Sequence, residues 1–503
     1  MSFFKTVPVP DRGIDYSLKP HAIDPRAWLI LNGFRTKNGT IRSFPGWDTV
    51  GAPPLGTPIV GMAEYFRPLT LERMHVVLTG AAAYSLALGS GALTDITGAS
   101  VLVASPQRPW STIVFGGQVH IASLDTDGLH TWNGTGNFTK IPGAPTFAFI
   151  ATLNDYLIGF YERVGSDHYP YSLRWAAEAT NDKWIADDTV DAGDFDIRDS
   201  PDKGVALYKL GDDLIAYKER TVVPITYIGG NEIFGRRAAV AGVGLIGPYA
   251  LAAAGDRHIF MGQETFYSYT GGNVVDDSVG DAIRDLVYAD LNFDIKEQVR
   301  CIFMRDALEI VWFYPSRQNL TGVGCDKAVI YNLKDGTWAG PMSILDYITF
   351  AVNFTDASPI KRDILGSKAG YVMGIGSGWY ENGAAIERVM ESGDHNLQTD
   401  AINEQGGKMF WPLSMVFQVN VVNLDFESII GTWVHFFIGS RLELHDPISW
   451  QGPYALDVSG GVQTIRVPVR STGRWFRIKF FTSTASELAL QNYQFEFEWV
   501  GGR

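Results

Sequence analysis

Chemistry needs particular side chains at particular spacings, and few stretches of this chain supply them. The densest acidic segment is Asp187-Asp-Thr-Val-Asp-Ala-Gly-Asp-Phe-Asp, continuing to Asp199 and Asp202. Oxygen-rich spacing of this kind can hold Ca²⁺, but the ligand order is not that of an EF-hand loop, and a solvated acidic loop is the simpler reading. Asp125-Thr-Asp-Gly is sufficient as a turn. The 9 histidines are scattered. There is no His-x-His and no His-Glu-x-x-His, so a zinc hydrolase has no ligand set. No Gly-x-Ser-x-Gly elbow occurs. Gly242-Val-Gly-Leu-Ile-Gly matches a phosphate-cradling loop in letters only: Pro248 follows at once and no βαβ unit surrounds it. It reads as a flexible or bulged strand connection. His258 and the Asp276-Asp277 pair read as surface and turn residues.

A glycosidase would need two carboxylates facing each other across a cleft. With 55 Asp and Glu in the chain, nothing singles out a pair. Trp110, Trp132, Trp184, Trp338 and Trp379 have the ring type that stacks on sugars. They fall near the ends of repeated units, however, where packing is the commoner role. The sequence therefore assigns no catalytic, cofactor-binding or metal-ligating residue. It names no cofactor and no enzyme activity.

The elements that would position any site are β-strands. The stretch Gly255–Ile283 sets the pattern: a polar turn, a short apolar strand (Ile259 to Met261), a Gly-containing turn, an aromatic strand (Phe266 to Tyr269) and a Gly-Gly-Asn turn. Short β-branched and aromatic runs separated by Gly, Asn and Asp read as antiparallel hairpins. Loose copies begin at His75, Gln118, Asp155, Gly211, Ala307 and Asp363. Their spacing of roughly 35 to 57 residues is close to the four-stranded blade of a propeller. Helical periodicity is nearly absent. One candidate is Asp281 to Leu291, with Ile283, Leu286, Val287 and Leu291 on one face; a weaker one spans Glu381 to Glu391.

The chain has 503 residues, 46% hydrophobic and 19% charged, which is globular and large enough for two or more domains. A net charge of −14 argues against a surface that grips nucleic acid, since phosphate binding needs clustered Lys and Arg. Two cysteines, Cys301 and Cys325, cannot build a disulfide framework or a zinc set, and reduced, structural thiols suit assembly in a reducing cytoplasm. The N-terminus has no signal-like apolar core. The longest uncharged run, Ala238 to Ala254, is broken by Gly242, Gly244, Gly247 and Pro248, and reads as strands rather than a membrane span. Five Asn-x-Thr sequons, at Asn38, Asn133, Asn137, Asn319 and Asn353, read as turn chemistry.

Residues 1–55 form a Pro- and Gly-rich extended lead, too broken to fold alone, which lies on the main domain or reaches a neighbouring subunit. Within it Lys37-Asn-Gly-Thr is a two-residue hairpin signal. Residues 56–383 carry the repeats. Residues 384–503 alternate with period two at Met415, Thr432, Val462, Trp475 and Tyr493, the signature of strands with one buried face. The boundary falls between Tyr380 and Trp411. The fold class is all-β: a propeller-like domain of about six to seven irregular blades plus a C-terminal β-sandwich or barrel.

Several stretches, in order, resemble a known family. They are Gly39-Thr-Ile-Arg-Ser-Phe-Pro-Gly-Trp, Tyr171-Ser-Leu-Arg-Trp-Ala with Asn181-Asp-Lys-Trp, Leu210-Gly-Asp-Asp-Leu-Ile-Ala-Tyr-Lys-Glu-Arg, Gly242 to Pro248, Phe266-Tyr-Ser-Tyr-Thr-Gly-Gly, and Gly473-Arg-Trp-Phe-Arg-Ile with the Gly501-Gly-Arg end. Together they resemble the nozzle or tail-hub proteins of short-tailed bacteriophages. The resemblance implies a virion component: a homohexameric ring below the portal and adaptor, touching tail fibre or needle proteins. It would enclose the channel through which genomic DNA leaves without specific binding. Assembly would take place in the bacterial cytoplasm. The acidic balance fits a channel that repels DNA. The other function class open to the fold is a carbohydrate-binding or glycan-hydrolysing propeller.

Overall fold

The computed structural model describes residues 2–502 except 8–10, 68–69, 71, 88–89, 188–189, 231, 356–360, 377, 399–414, 429–430, 459 and 484–485. Asp188 of the acidic segment and Trp411 lie outside the described residues.

Among the described residues the repeats form seven antiparallel blades. The first five span residues 59–95, 111–140, 146–196, 204–241 and 251–276. The sixth comprises Arg300–Met304, Glu309–Tyr314, Cys325–Asn332 and the first half of the long strand Thr337–Thr355. That strand then continues as the first strand of blade 7, followed by Lys361–Ser367 and Val372–Ile375. The fourth strand of blade 7 comes from the other end of the repeats: Trp47–Thr49 pairs with Val372–Ile375. A strand that precedes blade 1 in sequence thus completes the last blade and locks the circle. The first strand of blade 1, Ile59–Arg67, packs beside the second half of Thr337–Thr355, so the innermost strands close a ring.

The core lies between blades. Separate apolar clusters fill successive seams: Val60, Leu78, Trp110 and Trp132 between blades 1 and 2; Phe147, Leu157 and Trp184 between blades 2 and 3; Tyr156, Trp175 and Phe234 between blades 3 and 4; Ile59, Phe350 and Phe354 where blade 7 meets blade 1. The indoles also find acceptors. Trp110 Nε1 donates to the Thr79 carbonyl at 2.8 Å and Trp312 Nε1 to Ala250 at 3.0 Å, tying neighbouring blades by polar as well as apolar contact.

Within blade 5, the strands Arg257–Met261 and Phe266–Tyr269 lie where the Gly255–Ile283 pattern puts them. The helix after it runs Arg284–Asp290, with Ile283, Val287 and Leu291 buried. The weaker helical reading at Glu381–Glu391 is overturned. This stretch holds the strands Tyr380–Glu381, Ala384–Ala385 and Arg388–Ser392. Gly383 at φ +81° turns the chain there, and pairing of Arg388–Ser392 with Trp475–Thr482 outweighs helix propensity.

The C-terminal region is a two-sheet sandwich. One sheet is built on Met415–Ser428, Leu488–Gly502 and Gly461–Gly473; the other on Trp475–Thr482, Thr432–Arg441 and Ser449–Val458. Inward residues such as Phe417, Leu424, Phe436, Ile478 and Phe497 interdigitate, and this core is continuous with that of blades 4–6. Both sheets end in a strand carrying proline, Pro453 and Pro468, which blunts these edges against further pairing.

Residues 1–55 are woven through both units. Ser2–Val7 and the Phe34–Lys37/Thr40–Ser43 hairpin pair with Leu488–Gly502, and Trp28–Asn32 pairs with Arg388–Ser392. The hairpin turns at Asn38 and Gly39, both at positive φ, as its Asn-Gly signal demands. The joint with blade 6 is polar and buried. Arg35 Nη1 lies 2.5 Å from Glu309 Oε2. Thr36 Oγ1 meets Thr337 Oγ1, and Asn332 Nδ2 donates to the Thr36 carbonyl at 2.9 Å.

Candidate functional site

Two surfaces merit description: a cleft on the propeller axis and the outer faces of the sandwich. The cleft, about 330 Å³, opens where the chain enters the innermost strands. Gln107, Arg108 and Pro109 precede the first strand of blade 2; Lys203 precedes that of blade 4, Pro248 that of blade 5 and Glu297 that of blade 6. Its floor is apolar, made by Phe149, Val205, Ile246 and Pro248. A second cavity of about 330 Å³ shares Phe149 and Pro248 and runs along the innermost strands of blades 2–5.

The rim of the cleft is charged and internally paired. Lys203 Nζ lies 3.4 Å from Glu219 and 3.8 Å from Glu297. Lys296 Nζ lies 4.0 Å from Glu219 and donates to Gln263 Oε1 at 2.9 Å. Arg108 holds Asp125 at 2.6 Å. Tyr161 completes the lining with φ +60°, where the strand register breaks between Phe160 and Glu162. For a non-glycine aromatic residue this left-handed backbone is strained.

Beside the cleft, Arg300 is fully buried. Its guanidinium donates to the carbonyls of Pro106, Glu297, Val299 and Thr349 at 2.7–3.0 Å and lies over the Tyr249 ring. Burial holds its pKa below the usual arginine value. It clamps the link between blades 1 and 2 to blades 6 and 7.

The sandwich presents two unlike outer faces. On the Thr432–Arg441 sheet, Trp433 is 55% exposed, and His435, Phe437 and Phe481 are half-buried beside it. His435 and Phe481 are cross-strand partners with ring centroids 6.1 Å apart, and Lys479 lies over the Trp450 ring. On the opposite sheet several outward residues form a polar ladder, beside the exposed side chains of Phe4, Val462 and Trp499. Asn420 donates to Glu498 at 3.1 Å, Asn423 to Gln494 at 3.2 Å, and Arg42 bridges Glu427 and Glu487 at 3.2 Å each.

The motifs weighed from sequence resolve differently. The acidic segment is spent on protein partners. Asp191 accepts from Tyr156 Oη at 2.6 Å, Asp199 pairs with Arg236, and Asp202 lies 3.4 Å from buried Lys218. Among the described residues no group of His, Cys, Asp and Glu is arranged to hold a metal. The Gly242–Gly247 run is the link between blades 4 and 5; a Cβ on Gly244 would lie 2.2 Å from the Glu219 carbonyl, so close backbone approach requires glycine there. Trp110, Trp132, Trp184 and Trp338 are buried packing residues. Asn133 and Asn319 close their own turns through Thr135 and Thr321.

His258 is a correction: it is fully buried, not a surface residue. Its Nε2 donates to the Lys209 carbonyl at 3.1 Å, leaving Nδ1 to accept from Tyr217 Oη at 2.9 Å. Burial pushes its pKa down to about 4. As the second residue of its strand it faces blade 4, a seam position that the turn-rich local sequence hides. Asp276 does act in a turn, accepting from Ser278 N and Oγ. Tyr161 and the Lys203–Glu219–Glu297 set were missed, because the residues lie far apart in sequence and a positive φ at tyrosine leaves no signal.

No family model and no curated protein matches the chain in sequence. Solved structures do align with it. The exo-β-1,3-galactanase of Phanerochaete chrysosporium with galactose is 10% identical at a TM-score of 0.27, over 80% of this chain and 99% of that one. The CNH domain of AfRom2 is 8% identical at 0.39, over 66% and 99%. BBS1N, in complex with ARL6DN, is 10% identical at 0.35, over 51% and 76%. Among the described residues no helix is long and apolar enough to cross a membrane.

Proposed function

We propose that the protein is a structural ring component of a short-tailed bacteriophage virion, a tail nozzle or hub, as its sequence resemblance implies. The observation that carries the reading is the aromatic outer face around Trp433. An uncovered face of aromatic side chains rimmed by polar ones marks an interaction surface. The occupant we assign is a second copy of the chain. If this face meets a different patch on the next copy, the contact is head-to-tail, and it gives a ring where its rotation closes. The carboxylates Glu427, Glu487 and Glu498 on the other sheet would suit a wall past which DNA slides without sticking. The portal or adaptor ring and fibre or needle proteins would bind above and below.

Electron microscopy of the purified protein and of virions tests this. Six-fold rings that are lost on Trp433→Asp support it. A uniform monomer at high concentration, together with its absence from tails, refutes it. The carbohydrate-acting alternative rests on a different surface, the axial cleft.

A further inference from the structure

We infer that the axial cleft is a binding site for a neutral saccharide, a function beyond the ring role and independent of it. The cleft has three properties that together select the ligand. First, its lining carries Arg108 and Lys203 against Glu219 and Glu297, so equal numbers of cations and carboxylates leave no net charge for a ligand to neutralise. This disfavours phosphates, nucleic acid and polycations, each of which is held by an excess of one sign.

Second, the Lys203 and Lys296 contacts with Glu219 and Glu297 span 3.4–4.0 Å, longer than a good hydrogen bond. A hydroxyl can donate to the carboxylate and accept from the ammonium at once, so a polyol inserts into these loose pairs and satisfies both. Third, the remaining lining is apolar apart from Gln107 and includes Phe149 and Tyr161. A pyranose offers the matching pair of surfaces: a C–H face for the apolar lining and a fan of hydroxyls for the rim. The volume of about 330 Å³ is at the small end of ligand sites and fits a mono- or disaccharide.

Tyr161 is the specificity element. Its strained backbone departs from the strand at the register break, and strain of this sort is retained where the surrounding structure fixes it for a purpose. Glycine adopts the same φ without strain, so Tyr161→Gly removes the ring while keeping the fold.

The test is saturation-transfer NMR on the intact chain with glucose, galactose, mannose, maltose, cellobiose and lactose as probes, and inorganic phosphate as competitor. The inference predicts transfer to the ring C–H protons of at least one sugar, insensitive to phosphate. Binding should weaken by about tenfold in Glu297→Gln and in Glu219→Gln, the cost of a hydrogen bond to a charged group, and vanish in Tyr161→Gly. No transfer from any of the six sugars, or transfer unchanged in Tyr161→Gly with the fold intact by circular dichroism, overturns it. Because Trp433 is far from this cleft in the chain and on another unit, Trp433→Asp should leave sugar binding untouched.

Discussion

The sandwich has one surface that the chain itself covers and one that it leaves bare. Where it meets blade 6, charged and polar groups are buried in matched pairs: Arg35 with Glu309, Thr36 with Thr337, Asn332 with the Thr36 carbonyl. On the outer Thr432–Arg441 face, aromatic rings stand half in solvent, and Trp433 is 55% exposed. The difference separates an internal joint from the proposed assembly surface. A joint made within one chain tolerates buried charge, because both partners arrive together on a fixed backbone. The surface proposed to take another copy is built of rings that bury well yet survive exposure.

The largest expected effect breaks the joint. Arg35→Ala leaves Glu309 buried without its cation, and should lower the unfolding free energy by about 3–5 kcal/mol in chemical denaturation. The double substitution Arg35→Met with Glu309→Leu removes both charges. It should recover that loss and end neutral or about 1–4 kcal/mol more stable than the natural protein. Failure of the double variant to recover would show that the joint depends on its ion pair rather than on shape.

A second effect, smaller and pH-dependent, lies at the closing strand of blade 7. Glu381 is buried beside Trp47–Thr49 and accepts from the Leu345 and Asp346 amides at 2.6 and 2.9 Å. Burial pushes its carboxyl up to about 7, the two amides oppose this, and the nearby Asp346 charge adds to it. A pKa raised on folding means that the folded state holds the proton more tightly. Stability is then greatest below the ordinary carboxylate range and falls as pH rises from about 4.5 to about 7, by up to about 3 kcal/mol, and is flat above. Glu381→Gln keeps the acceptor and removes the charge. It should flatten that slope, matching the natural protein at pH 4 and exceeding it at pH 8.

The smallest effect sharpens the contrast from the other side. Asn423→Ser on the polar ladder touches neither joint nor aromatic face, and should change stability by less than about 0.5 kcal/mol and assembly not at all.

Much of this architecture was legible in the chain. Alternation at Met415, Thr432, Val462, Trp475 and Tyr493 marks sandwich strands because their outer faces meet solvent. The recurring hairpins mark blades. The circle's closure was not legible: Trp47–Thr49 is three residues long and its partner lies more than three hundred positions on, so no local period connects them. Nor was the weaving of residues 1–55 through the sandwich, since strands such as Trp28–Asn32 become strands only through distant pairing. The cleft stayed hidden for the same reason. Glu219 and Glu297 meet Lys203 through blade geometry, and no motif spaces them.

The central claim is that copies of this chain join through the Trp433 face. The most direct measurement is the mass of the purified assembly by analytical ultracentrifugation, compared between the natural protein and Trp433→Asp. The account predicts a closed oligomer for the first and a folded monomer for the second. A natural protein that stays monomeric at high concentration, or a Trp433→Asp variant that assembles as well as the natural one, would contradict it.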